Sequence, residues 1–74
     1  MTFGEKLREL REKAGLTQEA LAHAANMSLG NVRNYEQGLR EPRWRGVFQL
    51  ADALGVDCRA FKDCEQQRLT RYDR

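Results

Sequence analysis

The stretch from Thr17 to Gly38, TQEALAHAANMSLGNVRNYEQG, decides the architecture of this chain. Thr17 and Ser28 each stand just before a run with helical periodicity, where a hydroxyl accepts from a free backbone amide and starts a helix. The stretch therefore reads as two short helices, one running to about Ala25 and one ending near Gln37, with Gly38 as its stop. Asn26-Met27 marks the turn between them. A tight turn favours a residue that tolerates positive φ, which Gly and Asn do best. Leu21, Met27, Val32 and Tyr35 cover one inner seam, and Ala22 supplies the small side chain that a steep helix crossing requires. Glu19 in the first turn complements the helix dipole. Two short helices joined in this way form a helix-turn-helix, whose second helix is shaped to lie in a DNA major groove.

Working outward, Phe3, Leu7, Leu10 and Ala14 recur at helical spacing and predict a first helix with one apolar stripe. Thr2 and Glu5 have the spacing of a capping box. Gly15 reads as a left-handed cap, with Leu16 folding back onto the helix. On the other side, Leu39 to Arg45 forms a basic loop around Pro42. A fourth helix follows, with Trp44, Val47, Leu50, Ala51 and Leu54 expected to face inward. Trp44 is read as core because of its helical spacing from Val47, Phe48 and Ala51. Gly46 weakens the first turn of this helix, at a cost of up to about 1 kcal/mol against alanine. Gly55-Val56 repeats the cap and apolar return of Gly15-Leu16, and Asp57 can cap a short fifth helix that brings Phe61 to the core. The domain is expected over 1–62, with 63–74 a polar tail or helix extension carrying only Leu69 and Tyr72 as large apolar residues.

With 74 residues there is room for one domain and one small core. No apolar run approaches the length of a membrane span. The N-terminus enters a charged amphipathic segment directly, so no secretory signal is expected. A formal net charge of +2, from 13 basic and 11 acidic side chains, does not by itself point to nucleic acid. Cys58 and Cys64 fall on different faces if both are helical, which argues against a local disulfide. They read as reduced thiols in a cytoplasmic protein, Cys58 half-buried. His23 is the single histidine and reads as a surface residue, and no Cys-x-x-Cys pair accompanies it, so no metal and no cofactor are expected. No cysteine–histidine, serine–histidine or paired-carboxylate arrangement supports an enzyme.

In combination, Leu7-Arg8-Glu9-Leu10-Arg11, Gly15-Leu16-Thr17-Gln18-Glu19-Ala20-Leu21-Ala22, Tyr35-Glu36-Gln37-Gly38, Arg40-Glu41-Pro42 and Leu50-Ala51-Asp52-Ala53-Leu54-Gly55-Val56 carry a family likeness. Over about residues 2 to 61 the chain resembles the Cro/repressor-type (XRE-like) helix-turn-helix domains of phage repressors and bacterial regulators. The resemblance implies an all-α, compact five-helix bundle of the lambda-repressor-like kind. It also implies that the domain binds double-stranded DNA, commonly as a symmetric homodimer, and regulates transcription, with repression the expected action. Gln18 matches a position that the family places on a backbone phosphate, at a helix N-terminus suited to anions. Arg11 and Glu36 match a structural charge pair tying the first helix to the recognition helix. Arg40, Arg43 and Arg45 match a phosphate-gripping region; the alternative is a solvated loop partly neutralised by Glu41. The dimer surface implied by the resemblance is the fifth helix around Cys58, Arg59 and Phe61, with Leu69 and Tyr72 as additions.

The chain departs from the family pattern at the front of the recognition helix. Polar side chains there usually read base edges, whereas Ser28 is followed by Leu29 and Gly30, neither of which can make bidentate hydrogen bonds to a base. Leu29 can touch a thymine methyl, and Gly30 can let the backbone approach closely. The remaining candidate readers are Asn31, Arg33, Asn34 and Gln37; Arg33 suits guanine and Asn34 suits adenine. An apolar Leu29 beside a glycine also fits a protein contact. A protein-interaction adaptor or antitoxin-type module using the same fold, for which a protein partner matters as much as DNA, is therefore the alternative reading.

Overall fold

The structure, a computed structural model, describes residues 2–61. Cys64, Leu69, Tyr72 and the tail expected over 63–74 lie outside the described residues. Helix α1 spans Phe3–Lys13, α2 Gln18–Ala24, α3 Leu29–Gln37 and α4 Trp44–Leu54, and a single 3₁₀ turn follows at Cys58–Phe61. Among the described residues there is no strand.

The starts of the first three helices follow from their caps. Thr2 and Glu5 form a reciprocal capping box. The Thr17 hydroxyl accepts from the Ala20 amide at 3.0 Å, and the Ser28 hydroxyl accepts from the Asn31 amide at 3.1 Å. Asn26 turns the chain between α2 and α3 with φ 58°, the left-handed conformation that its side chain tolerates. α3 packs against both α1 and α2. Beneath it lies one core of Phe3, Leu7, Leu21, Ala22, Ala25, Val32, Val47, Leu50, Ala51, Leu54 and Phe61. Leu10, Leu16, Met27 and Tyr35 close its edges. Ala22 is buried at the crossing, as its size requires.

Three expectations are corrected. Among the described residues the bundle has four α-helices, not five. The segment read as a fifth helix is one 3₁₀ turn, in which the Ala60 amide bonds back three residues to the Asp57 carbonyl at 2.9 Å. Phe61 is stacked on Phe3 with ring centroids 4.8 Å apart, so the chain reaches its core contact within that single turn. Ala14 is exposed because it caps α1 instead of continuing the stripe. Trp44 is not core: it is 40% exposed and stacks on Phe48, itself 50% exposed, at 5.6 Å. At about 100° per residue, the buried Val47, Leu50, Ala51 and Leu54 centre on a direction roughly 70° from Trp44 and 110° from Phe48. The two rings therefore fall outside the buried sector and cover each other.

Candidate nucleic-acid interface

α3 lies across α1 at very short range, and Gly4 makes this possible. A Cβ at Gly4 would stand 2.4 Å from the Tyr35 carbonyl oxygen and 2.7 Å from that of Glu36, so only glycine admits this approach. The same crossing places Glu36 opposite Arg11. Arg11 Nε donates to Glu36 Oε2 at 2.7 Å and Nη2 to Oε1 at 3.3 Å. Its Nη1 donates to the Leu16 carbonyl at 2.8 Å. Gln18 Nε2 donates to Glu36 Oε1 at 3.0 Å. The Arg11 and Glu36 side chains are 12% and 4% exposed, so the carboxylate is almost fully withdrawn from water and held by three donors. The network joins α1, α2 and α3 and fixes the rotation of α3 about its own axis. The Gln18 amide spends one N–H on Glu36 and retains another as a donor.

Along α3, Ser28, Gly30, Arg33 and Gln37 are exposed, while Leu29, Asn31 and Asn34 are half-buried. Val32 is fully buried and defines the inward direction. The Asn34 carbonyl accepts from the amides of Leu39 and Arg40 at 2.9 and 3.4 Å, which turns the chain back toward the N-terminal end of α4. Pro42 is buried against Gly46, where a Cβ would stand 2.9 Å from the proline Cβ. The glycine that weakens the first turn of α4 is thus the seat of the loop proline.

That return brings Arg40, Arg43 and Arg45 around one open cleft of about 290 Å³ together with Asn31, Tyr35 and Gln49. Glu41 shares the rim. Among the described residues none of these three arginines forms an ion pair, in contrast to Arg8, Arg11 and Arg59. Arg43 occupies the N-cap of α4 and offers no side-chain acceptor to the amides of the first turn. The cleft therefore combines several cationic groups with backbone N–H donors at one edge of α3, an arrangement suited to an anion.

The remaining candidates are distributed elsewhere. Phe61 is buried, while Cys58 is half-buried beside it. Arg59 is exposed and paired with Asp57 at 3.3 Å. The Arg59 backbone amide, and then its guanidinium, hold the Asp57 carboxyl below the usual aspartate range, and Asp57 in turn raises Arg59. His23 is exposed on α2. Among the described residues no group of three or more metal-ligating side chains is present, and no helix is long and apolar enough to cross a membrane. Gly4 and the exposed Trp44–Phe48 pair were not legible from spacing, and the four-residue interval between Pro42 and Gly46 was the one signal for their contact.

Comparison with known proteins places this geometry in context. The model of a family described as "Helix-turn-helix domain" matches residues 2–60. The HTH-type transcriptional regulator ImmR of Bacillus subtilis (strain 168) is 36% identical over 56 residues, covering 76% of this chain and 44% of that protein. The propionyl-CoA carboxylase regulator of Cereibacter sphaeroides is 38% identical over 66 residues, 89% of this chain and 14% of that protein. The chain thus spans less than half the length of either relative. The restriction-modification controller protein C.AhdI from Aeromonas hydrophila superposes with a TM-score of 0.78 at 37% identity, over 80% of this chain and 89% of that one. The P22 c2 repressor, solved with a synthetic operator, shares the fold at a TM-score of 0.76 and 24% identity, over 82% and 92% of the two chains.

Proposed function

Since the chain belongs to the helix-turn-helix domain family, we propose that it binds duplex DNA sequence-specifically as a transcriptional regulator that represses. The observation that carries this reading is the convergence of Arg40, Arg43 and Arg45 with α3 residue Asn31 on one cleft. Arginine forks and first-turn amides of α4 would hold the phosphate backbone, fixing position and register. The second N–H of Gln18 would add a contact at the start of α2. With the module so held, Ser28 to Gln37 would enter the major groove, where Asn31, Arg33, Asn34 and Gln37 present hydrogen-bonding side chains to base edges. The regulator ImmR and the controller protein C.AhdI, both more than a third identical to this chain, support the regulatory role.

A single module of this size offers limited contact area, so a homodimer on two half-sites about one helical turn apart is the proposed working form. Phe61 is committed to the core. Cys58 and Arg59 are what the 3₁₀ turn presents toward a second copy. The domain is proposed to act in the cytoplasm, without catalysis or cofactor.

A protein-contact reading is favoured by one observation: Leu39, Trp44 and Phe48 are 68, 40 and 50% exposed. These are apolar side chains that a protein partner could cover. One titration separates the two. Replacing Arg40 and Arg43 together with alanine should weaken binding to every duplex. It should also reduce the slope of log K against log salt by about 0.9 for each phosphate that is no longer neutralised. An unchanged slope in fluorescence anisotropy would reject the phosphate role and move the functional surface to the apolar side chains.

A further inference from the structure

All six glycines fall within the described residues, and five have a reason inside the fold. Gly15, Gly38 and Gly55 have φ of +74, +81 and +74°. Gly4 and Gly46 sit where a Cβ would strike Tyr35 and Pro42. Gly30 has neither reason. It is helical, exposed and the second residue of α3, and its φ is not positive. A Cβ built on it would meet nothing closer than Ser28 Oγ at 3.8 Å. Alanine fits there and is the better helix former, so folding alone would favour alanine. The fold therefore supplies no reason for glycine at position 30, and a contact outside the fold would supply one.

Its neighbours indicate what that is. Leu29 offers only hydrocarbon, and Ser28 already accepts the Asn31 amide as the helix cap. The leading turn of α3 is thus an apolar side chain beside a position with no side chain and open space around it, on the element proposed above to enter the major groove. The one methyl group that unmodified base pairs present in that groove is at C5 of thymine.

We propose that Leu29 and Gly30 form a notch that seats a thymine methyl, making this pair the determinant of a T·A pair in each half-site. The inference rests on the DNA-binding reading. Gly30 lets the first turn of α3 approach the base edge, and Leu29 closes over the methyl. A Cβ at position 30 would occupy the methyl's place without disturbing the protein.

The test uses a fluorescein-labelled duplex carrying the site that wild type selects, with each thymine replaced in turn by deoxyuridine. Wild type should lose about fourfold in affinity at one position per half-site, as expected for one buried methyl. Gly30→Ala should melt roughly 2–6 °C higher than wild type. It should nevertheless bind the thymine site at least tenfold more weakly and no longer distinguish thymine from uracil there. Gly30→Ala binding as well as wild type, or no position sensitive to deoxyuridine, would overturn the notch while leaving sequence-specific binding intact. A wild-type protein that prefers no duplex over random DNA would instead overturn the DNA-binding reading itself.

Discussion

Glu36→Ala is predicted to be among the most damaging single changes to the fold. The Glu36 side chain is 4% exposed and Arg11 12%, and they meet at 2.7 Å. Removing one partner of a buried ion pair costs about 3–5 kcal/mol, because the remaining charge is left without compensation. Arg11 keeps the Leu16 carbonyl at 2.8 Å, and its own exposure admits some water, which argues for the lower bound, about 3 kcal/mol. Total stability is of order 5–15 kcal/mol for natural domains, and a chain this short belongs near the bottom of that range. With m near 1.5 kcal/mol/M, the urea midpoint should fall by about 2 M. Glu36→Gln keeps an acceptor but removes the charge, and should fall between Glu36→Ala and wild type. The double replacement Arg11→Met with Glu36→Leu should return to within about 1–2 kcal/mol of wild type, since an apolar pair replaces the ion pair without stranding either charge. Far-UV circular dichroism in urea measures all three. A loss under about 1 kcal/mol for Glu36→Ala, the size expected of an exposed pair, would refute the claim that this network sets the orientation of α3.

Gly4→Ala should separate α1 from α3 and cost about 1–3 kcal/mol, as overpacking does. An unchanged thermal midpoint would show that the two helices can part without cost. Phe48→Ser should change stability by less than about 1 kcal/mol, while Phe61→Ala should cost about 3–5 kcal/mol as a buried ring does. Urea melts of the two variants would reverse this order if Phe48, and not Phe61, belonged to the core. Asp57 is held below its unfolded value, so its stabilising contribution is present above about pH 4 and is lost as pH falls through its lower folded value. Asp57→Asn should therefore flatten part of the acid limb of stability against pH. A limb identical to wild type would show that the Arg59 contacts contribute nothing to folding.

The helix-turn-helix was legible because its signals are local. Caps at Thr2, Thr17 and Ser28 declare themselves by hydroxyl spacing. Asn26 stood out because few residues accept its φ of 58°. The core positions Leu7, Leu21, Val32, Val47 and Leu50 follow from a period of about 3.6 residues. What was hidden depends on the placement of one helix against another. Gly4 resembles any helical glycine until α3 is laid across it. Trp44 shares helical spacing with Val47 and Ala51, yet periodicity locates a stripe without its edges, and the tryptophan falls just beyond. Over its described residues the expected fifth helix is a 3₁₀ turn, where Phe61 stacks on Phe3 at 4.8 Å, a contact no sequence pattern reports. On the candidate interface, the arginine cluster was visible as composition, but its convergence on the edge of α3 required the Pro42–Gly46 seat. The leading turn of α3 departed visibly from its family, and only the open space around Gly30 separates a structural glycine from one kept for an external contact.

The most direct measurement is selection of bound duplexes from a random pool near physiological salt, followed by sequencing. The predicted result is one enriched motif, an inverted repeat with half-sites about one helical turn apart and a fixed T·A pair in each. Recovery of no motif, with weak binding that disappears as salt rises, would contradict sequence-specific recognition and leave the exposed Trp44–Phe48 surface as the place to look for a protein partner.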